Sequence, residues 1–131
     1  MAEIRDVYLT KSEESLSGAD SELVNGRYNN CANRCYYGAF QAAIAALLSQ
    51  GITPLSGSRE WRHEFVQGQF VGELINRRHL YSSDLRDVLA RNQELRETAD
   101  YEGTNITHVQ ASRALRRARA LLEAIQTKGG G

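Results

Sequence analysis

Apolar positions recur with a helical period along most of the chain. From about Glu3 to Val24 they fall at Ile4, Val7, Tyr8, Leu16, Ala19 and Leu23, with a weak stretch from Ser12 to Ser15. Asn25-Gly26 predicts the end of this helix, because glycine accepts the left-handed conformation of a helix C-terminus. A second segment runs from about Tyr28 to Gln50, with Asn29 or Asn30 as its expected cap. It is apolar nearly all round from Cys35 to Leu48, which predicts a buried central helix. Gly38, Ala39, Ala42 and Ala46 are small enough to let neighbours approach closely, and Gly51 closes the helix.

Ile52 to Ser58 contains the single proline, Pro54, with Gly57, and reads as a loop. A third helix is expected from about Arg59 to Asn76, packing through Trp61, Phe65, Phe70, Val71, Leu74 and Ile75. Gly68 and Gly72 within it each cost about 1 kcal/mol against alanine, which predicts close packing there. A fourth helix opens at Ser82 or Ser83, uses Leu85, Val88, Leu89, Leu95 and Ala99, and ends near Gly103. Thr107 and Gln110 have the spacing of a capping box. The fifth helix follows, with Ala111, Leu115, Ala118, Leu122 and Ile125 inward. No stretch alternates with period two, so no sheet is expected. The predicted fold is all-α, an up-and-down bundle of four or five helices with antiparallel neighbours. It forms one domain over residues 1–128, with 129–131 as a flexible glycine tail.

At 131 residues the chain can bury a real core. Sixteen basic and sixteen acidic side chains cancel, which argues against a grip on nucleic acid across the whole surface. The charge is uneven, however. The first helix carries Glu3, Asp6, Glu13, Glu14, Asp20 and Glu22 against Arg5 and Lys11; the last carries Arg113, Arg116, Arg117, Arg119 and Lys128 against Glu123. The two helices can attract each other, the basic one can face an acidic partner, or both can be solvated faces. Cys31 and Cys35, four apart, fit disulfide geometry poorly within a helix and read as reduced core residues. No apolar run reaches a membrane span and no signal peptide is read, so a cytoplasmic location is expected. There is no phosphate-binding glycine loop, metal-ligand spacing or nucleophile elbow, and no metal or cofactor is expected.

Three motifs then occur in order. Arg27-Tyr28-Asn29-Asn30 followed by Tyr36-Tyr37-Gly38-Ala39-Phe40 resembles the YYAxF signature of small prokaryotic HEPN (higher eukaryote and prokaryote nucleotide-binding) proteins. His63, Val66 and Phe70 resemble the HxxVxxxF pattern of their third helix, and Leu95 to Tyr101 resembles their LRxxADY motif. The resemblance covers almost the whole chain. It implies a helical bundle that often dimerises and is often paired with a small nucleotidyltransferase in toxin–antitoxin modules. Some members are metal-independent ribonucleases that use an arginine, four to six intervening residues and a histidine; others are described only as nucleotide- or substrate-binding helpers.

Such a ribonuclease needs a base near neutrality and a cation for the charged phosphorane, tasks suited to histidine and arginine. None of His63, His79 and His108 has an arginine at the required distance upstream. Arg96 stands at the family's arginine position, but Tyr101 stands where the histidine is expected. A tyrosine is a poor base at neutral pH, with an unperturbed pKa of about 10. Asn92, Arg96 and Asp100 are spaced by four and share a helical face, either as a polar pocket with Tyr101 or as a structural brace. Secondary candidates are Tyr36 and His63, each also readable as packed, and a phosphate-tracking stripe of Arg113, Arg116 and Arg117. Arg77-Arg78-His79 fits the negative end of a helix dipole.

The expectation is a HEPN-type protein that binds a nucleotide, RNA or partner without the usual ribonuclease histidine. It would be a homodimer, in a module with a minimal nucleotidyltransferase. The alternatives are a ribonuclease using Arg96 with Tyr101 or Asp100, and a purely structural partner.

Overall fold

The structure is a computed structural model that describes residues 2–54, 59–101 and 103–130. Among the described residues there are five α-helices: α1 Ala2–Val24, α2 Tyr28–Ser49, α3 His63–Gln69, α4 Val88–Tyr101 and α5 His108–Gly130. There is no strand among the described residues. The fold is an all-α bundle.

Helix α2 is central, touching α1, α3, α4 and α5. Its buried run includes Cys35, Ala39, Ala42, Ala43, Ile44, Ala46 and Leu47. Leu16, Phe70, Leu74, Leu121 and Ile125 close over it from the other helices. Partners along the α1–α2 seam run in opposite directions: Arg5 Nε donates to Ser49 Oγ at 2.6 Å, and Ser12 Oγ donates to the Gly38 carbonyl at 2.7 Å. The seam is tight because Gly38 lacks a side chain; a Cβ there would overlap the Leu16 isobutyl group. Contacts of Tyr36 with Arg96 and Asn33 with Asp100 make α2 and α4 antiparallel.

Both expected glycine stops are Schellman motifs. Gly26 has φ 76°, Gly26 N–H donates to Leu23 O and Arg27 N–H to Glu22 O. Gly51 has φ 74°, with matching bonds from Gly51 to Leu48 and from Ile52 to Leu47. The capping box at α5 is reciprocal: Gln110 N–H donates to Thr107 Oγ1 at 3.2 Å, and Thr107 N–H to Gln110 Oε1 at 2.9 Å. Helix α5 runs on to Gly130, so the glycines expected as a tail begin as helix; Gly131 lies outside the described residues.

Other expectations need correction. Neither Asn29 nor Asn30 caps α2, whose N-cap is Arg27 with no side-chain bond. Asn29 Oδ1 instead accepts from Ile106 N–H at 2.9 Å, and Asn30 Nδ2 donates to Glu22. The third helix starts at His63 rather than Arg59, and Trp61 packs on Tyr8 from the preceding segment. Within the loop expected over 52–58, Gly57 and the rest of 55–58 lie outside the described residues. Helix α3 continues as a π-helix, Phe70–Arg77. Gly68 and Gly72 are not close-packing sites, since a Cβ at either would meet nothing within 4 Å. The expected fourth helix is split: Ser82 Oγ accepts from Asp84 N–H to open a 3-10 turn, Ser83–Leu85, and α4 begins only at Val88. Arg77 and Arg78 end the third helical segment as expected, but Glu73 holds both, at 2.7 and 3.4 Å.

Candidate functional site

Helices α2, α3 and α4 border an open, shallow cleft of about 460 Å³ lined by Tyr36, Tyr37, Phe40, Trp61, His63 and Arg96, among others. The aromatic wall comes from α2. Positions 36 and 40 lie one helical turn apart, and the rings of Tyr36 and Phe40 stack with centroids 5.7 Å apart. Tyr36 is buried, whereas Tyr37 is 42% exposed.

His63 enters at the start of α3. Its Nε2–H donates to Gln67 Oε1 at 2.9 Å, one turn along the same helix. That amide oxygen only accepts; in the Nε2–H tautomer this bond selects, Nδ1 accepts the Tyr36 hydroxyl proton, also at 2.9 Å. Burial pushes the Tyr36 phenol up to about 12, partly opposed by the Arg96 cation.

Arg96 comes from α4. Its guanidinium carbon lies 4.7 Å from the Tyr36 ring centroid and 5.8 Å from that of Tyr37, within cation–π range. Nη1 reaches Asp100 Oδ2 at a long 3.4 Å, and Nη2 reaches Gln93 Oε1 at 3.5 Å. Nε is buried without a hydrogen-bond partner. The side chain is 18% exposed. The arginine is thus held by rings and by one loose carboxylate contact, not by the bidentate pair that a purely structural brace would use.

The sequence candidates separate as follows. Arg96, Tyr36 and His63 meet in the cleft. Asp100 sits at its edge, where Oδ2 also accepts from Asn33 Nδ2 at 3.4 Å. Tyr101 is 79% exposed and makes no part of the cleft wall. Asn92 is fully buried in the α4–α5 interface: its Nδ2 donates to Ala114 O at 3.3 Å, and its Oδ1 accepts from Arg117 Nε at 3.0 Å. It belongs to the core and not to the pocket its spacing suggested. Arg113 and Arg116 are exposed on α5, away from the cleft. Asn33 carries no local sequence signal, because its role depends on α2 and α4 becoming neighbours; Gln67 stands one turn after His63, a spacing that a pairing on one helix face could have flagged.

The HEPN domain model matches residues 6–128. The chain belongs to the HEPN domain family. No curated protein shows significant similarity to it. In this HEPN domain Arg96 of α4 faces an aromatic cleft, and the histidine in that cleft, His63, comes from α3. Cys31 and Cys35 are free and buried, with sulfurs 3.9 Å apart. The Cys35 thiol is pushed up by its hydrogen bond to Cys31 and by burial. No group of three His, Cys, Asp or Glu side chains among the described residues is arranged to hold a metal, and no helix among them is long and apolar enough to cross a membrane.

Proposed function

We propose that this HEPN protein binds a nucleotide or an RNA phosphodiester in the α2–α3–α4 cleft. Arg96 takes the phosphate and the exposed ring of Tyr37 stacks on a base. One observation carries the reading: the Arg96 guanidinium lines a concave aromatic site with a buried, unpartnered Nε and only long contacts to Asp100 and Gln93. Guanidinium and aromatic surfaces together suit a charged, flat ligand. A charge-assisted hydrogen bond is worth about 1.5–3 kcal/mol, so Arg96→Gln should weaken nucleotide binding about 10- to 100-fold. Equilibrium dialysis with labelled nucleotides tests this; equal affinities in both proteins would reject the assignment.

The biological setting we propose is a homodimer in a toxin–antitoxin-like module with a minimal nucleotidyltransferase. Exposed Tyr37 and Tyr101, at 42% and 79%, support a second copy near the cleft.

A metal-independent ribonuclease is the second reading, and the position of His63 favours it over Tyr101 or Asp100 as base. The ribose 2′-OH would pass its proton through the Tyr36 hydroxyl to His63 Nδ1. The 2′-oxygen would attack phosphorus, the P–O5′ bond would break, and the 5′-oxygen would take a proton from water, leaving a 2′,3′-cyclic phosphate. Incubating RNA with wild type, Arg96→Ala and His63→Ala in EDTA decides it: cleavage lost in both variants favours the nuclease, and no cleavage by the folded wild type removes it.

A further inference from the structure

A second cationic site lies on the other flank of α4. Arg113, Arg116 and Arg117 occupy positions i, i+3 and i+4 of α5 and therefore share a face. Among the described residues none of them pairs with a carboxylate. Arg119 points elsewhere and meets Asp20 of α1 at 3.8 Å. A fourth arginine, Arg91 of α4, joins the group with only a loose 3.8 Å contact to Asp87. Among the described residues, Arg113, Arg116 and Arg117 thus cluster without a carboxylate partner in a chain with as many acids as bases.

The arrangement is built and not merely surface charge. Arg117 is half-buried, and its Nε is gripped from behind by the neutral Asn92 amide at 3.0 Å. That bond fixes the guanidinium without neutralising it. Burial lowers the Arg117 pKa, and the nearby Arg91 and Arg113 cations lower it further. Arg91, Arg116 and Arg117 line a groove of about 420 Å³ that also includes Leu85, Val88 and Ala120. Asp84 and Asp87 line it as well, Asp87 beside Arg91.

We propose that Arg116 and Arg117, with Arg91, bind backbone phosphates of single-stranded RNA in this α4–α5 groove, and that Arg113, one turn back on the same face of α5, extends the track beyond it, separately from the Arg96 cleft. Guanidinium forks match phosphate oxygens, and the apolar residues between them offer a surface for a base or sugar. The site makes the ligand a strand with several phosphates, where the cleft alone needs one nucleotide.

The test measures the affinity of a fluorescent 12-nucleotide RNA against salt concentration, for wild type and for Arg113→Gln/Arg116→Gln. Both residues are exposed and make no ion pair among the described residues, so the double variant keeps the fold. Each lost phosphate contact flattens the log–log salt slope by about 0.7. The expected loss is therefore about 1.4, with mononucleotide binding unchanged. An unchanged slope, or no RNA binding by wild type, overturns the proposal. Arginine-dependent binding of polyglutamate in place of RNA also overturns it, in favour of an acidic protein. If mononucleotide binding fails while the arginine-dependent slope persists, the cleft reading falls and this one stands.

Discussion

Arg96 and Tyr36 show how one residue's environment sets its chemistry. The phenol is buried, bonded to His63 and stacked by a cation. Its pKa is raised in the folded state, so neutral Tyr36 adds stability that is fully present below the ordinary value of about 10 and is lost as pH rises through about 12. Phenolate absorbance should show Tyr36 ionising late among the six tyrosines. Tyr36→Phe should delete the step near 12, and a titration unchanged in the variant would contradict the buried phenol. Arg96 was legible in the sequence because it stands in a motif. The fate of its neighbours was not. Spacing by four places Asn92, Arg96 and Asp100 on one face, but that face is wide enough for Asn92 to enter the α5 interface while Arg96 turns to α2. Tyr101 was a reasonable substitute for the missing histidine in sequence, yet His63 arrives from a different helix, which no local spacing reveals.

Glycines separate the elements by what surrounds them. At Gly38 the Leu16 side chain fills the space of a Cβ, so Gly38→Ala should cost about 1–3 kcal/mol through overpacking of the α1–α2 seam. At Gly68 nothing lies within 4 Å, so Gly68→Ala should stabilise α3 by about 0.5–1 kcal/mol. Urea unfolding of both variants checks the contrast, and the same sign in both would refute it. Thr107→Ala should lose about 1 kcal/mol from the α5 capping box in the same assay. Helix ends with such chemistry were legible: Gly26, Gly51, Ser82 and Thr107 all act as their residue types predict. The π-helix was not, because an apolar stripe tolerates either helical pitch. The start of α3 was hidden too, since Trp61 packs like a helical residue from outside the helix.

At the scale of the molecule, period and composition were enough for an all-α bundle around α2, because only that segment is apolar on nearly every side. The opposed charges of α1 and α5 do meet, though mainly through Arg119, which reaches Asp20 and the Leu16 carbonyl. Among the described residues the rest of the basic face meets no carboxylate, and that is where the second phosphate site is proposed. The proposed homodimer predicts that Tyr37→Glu/Tyr101→Glu shifts the sedimentation coefficient from dimer to monomer while helicity is retained; a monomeric wild type would remove it. Ligand capture by the Arg96 cleft has a built-in reporter, because the chain's single tryptophan, Trp61, lines that cleft. Trp61 fluorescence titrated with mononucleotides, in wild type and Arg96→Gln, therefore reads that capture at the site itself. A saturable change in wild type that weakens at least about 10-fold in the variant is the predicted result. No change in wild type, or identical curves in two folded proteins, would contradict it.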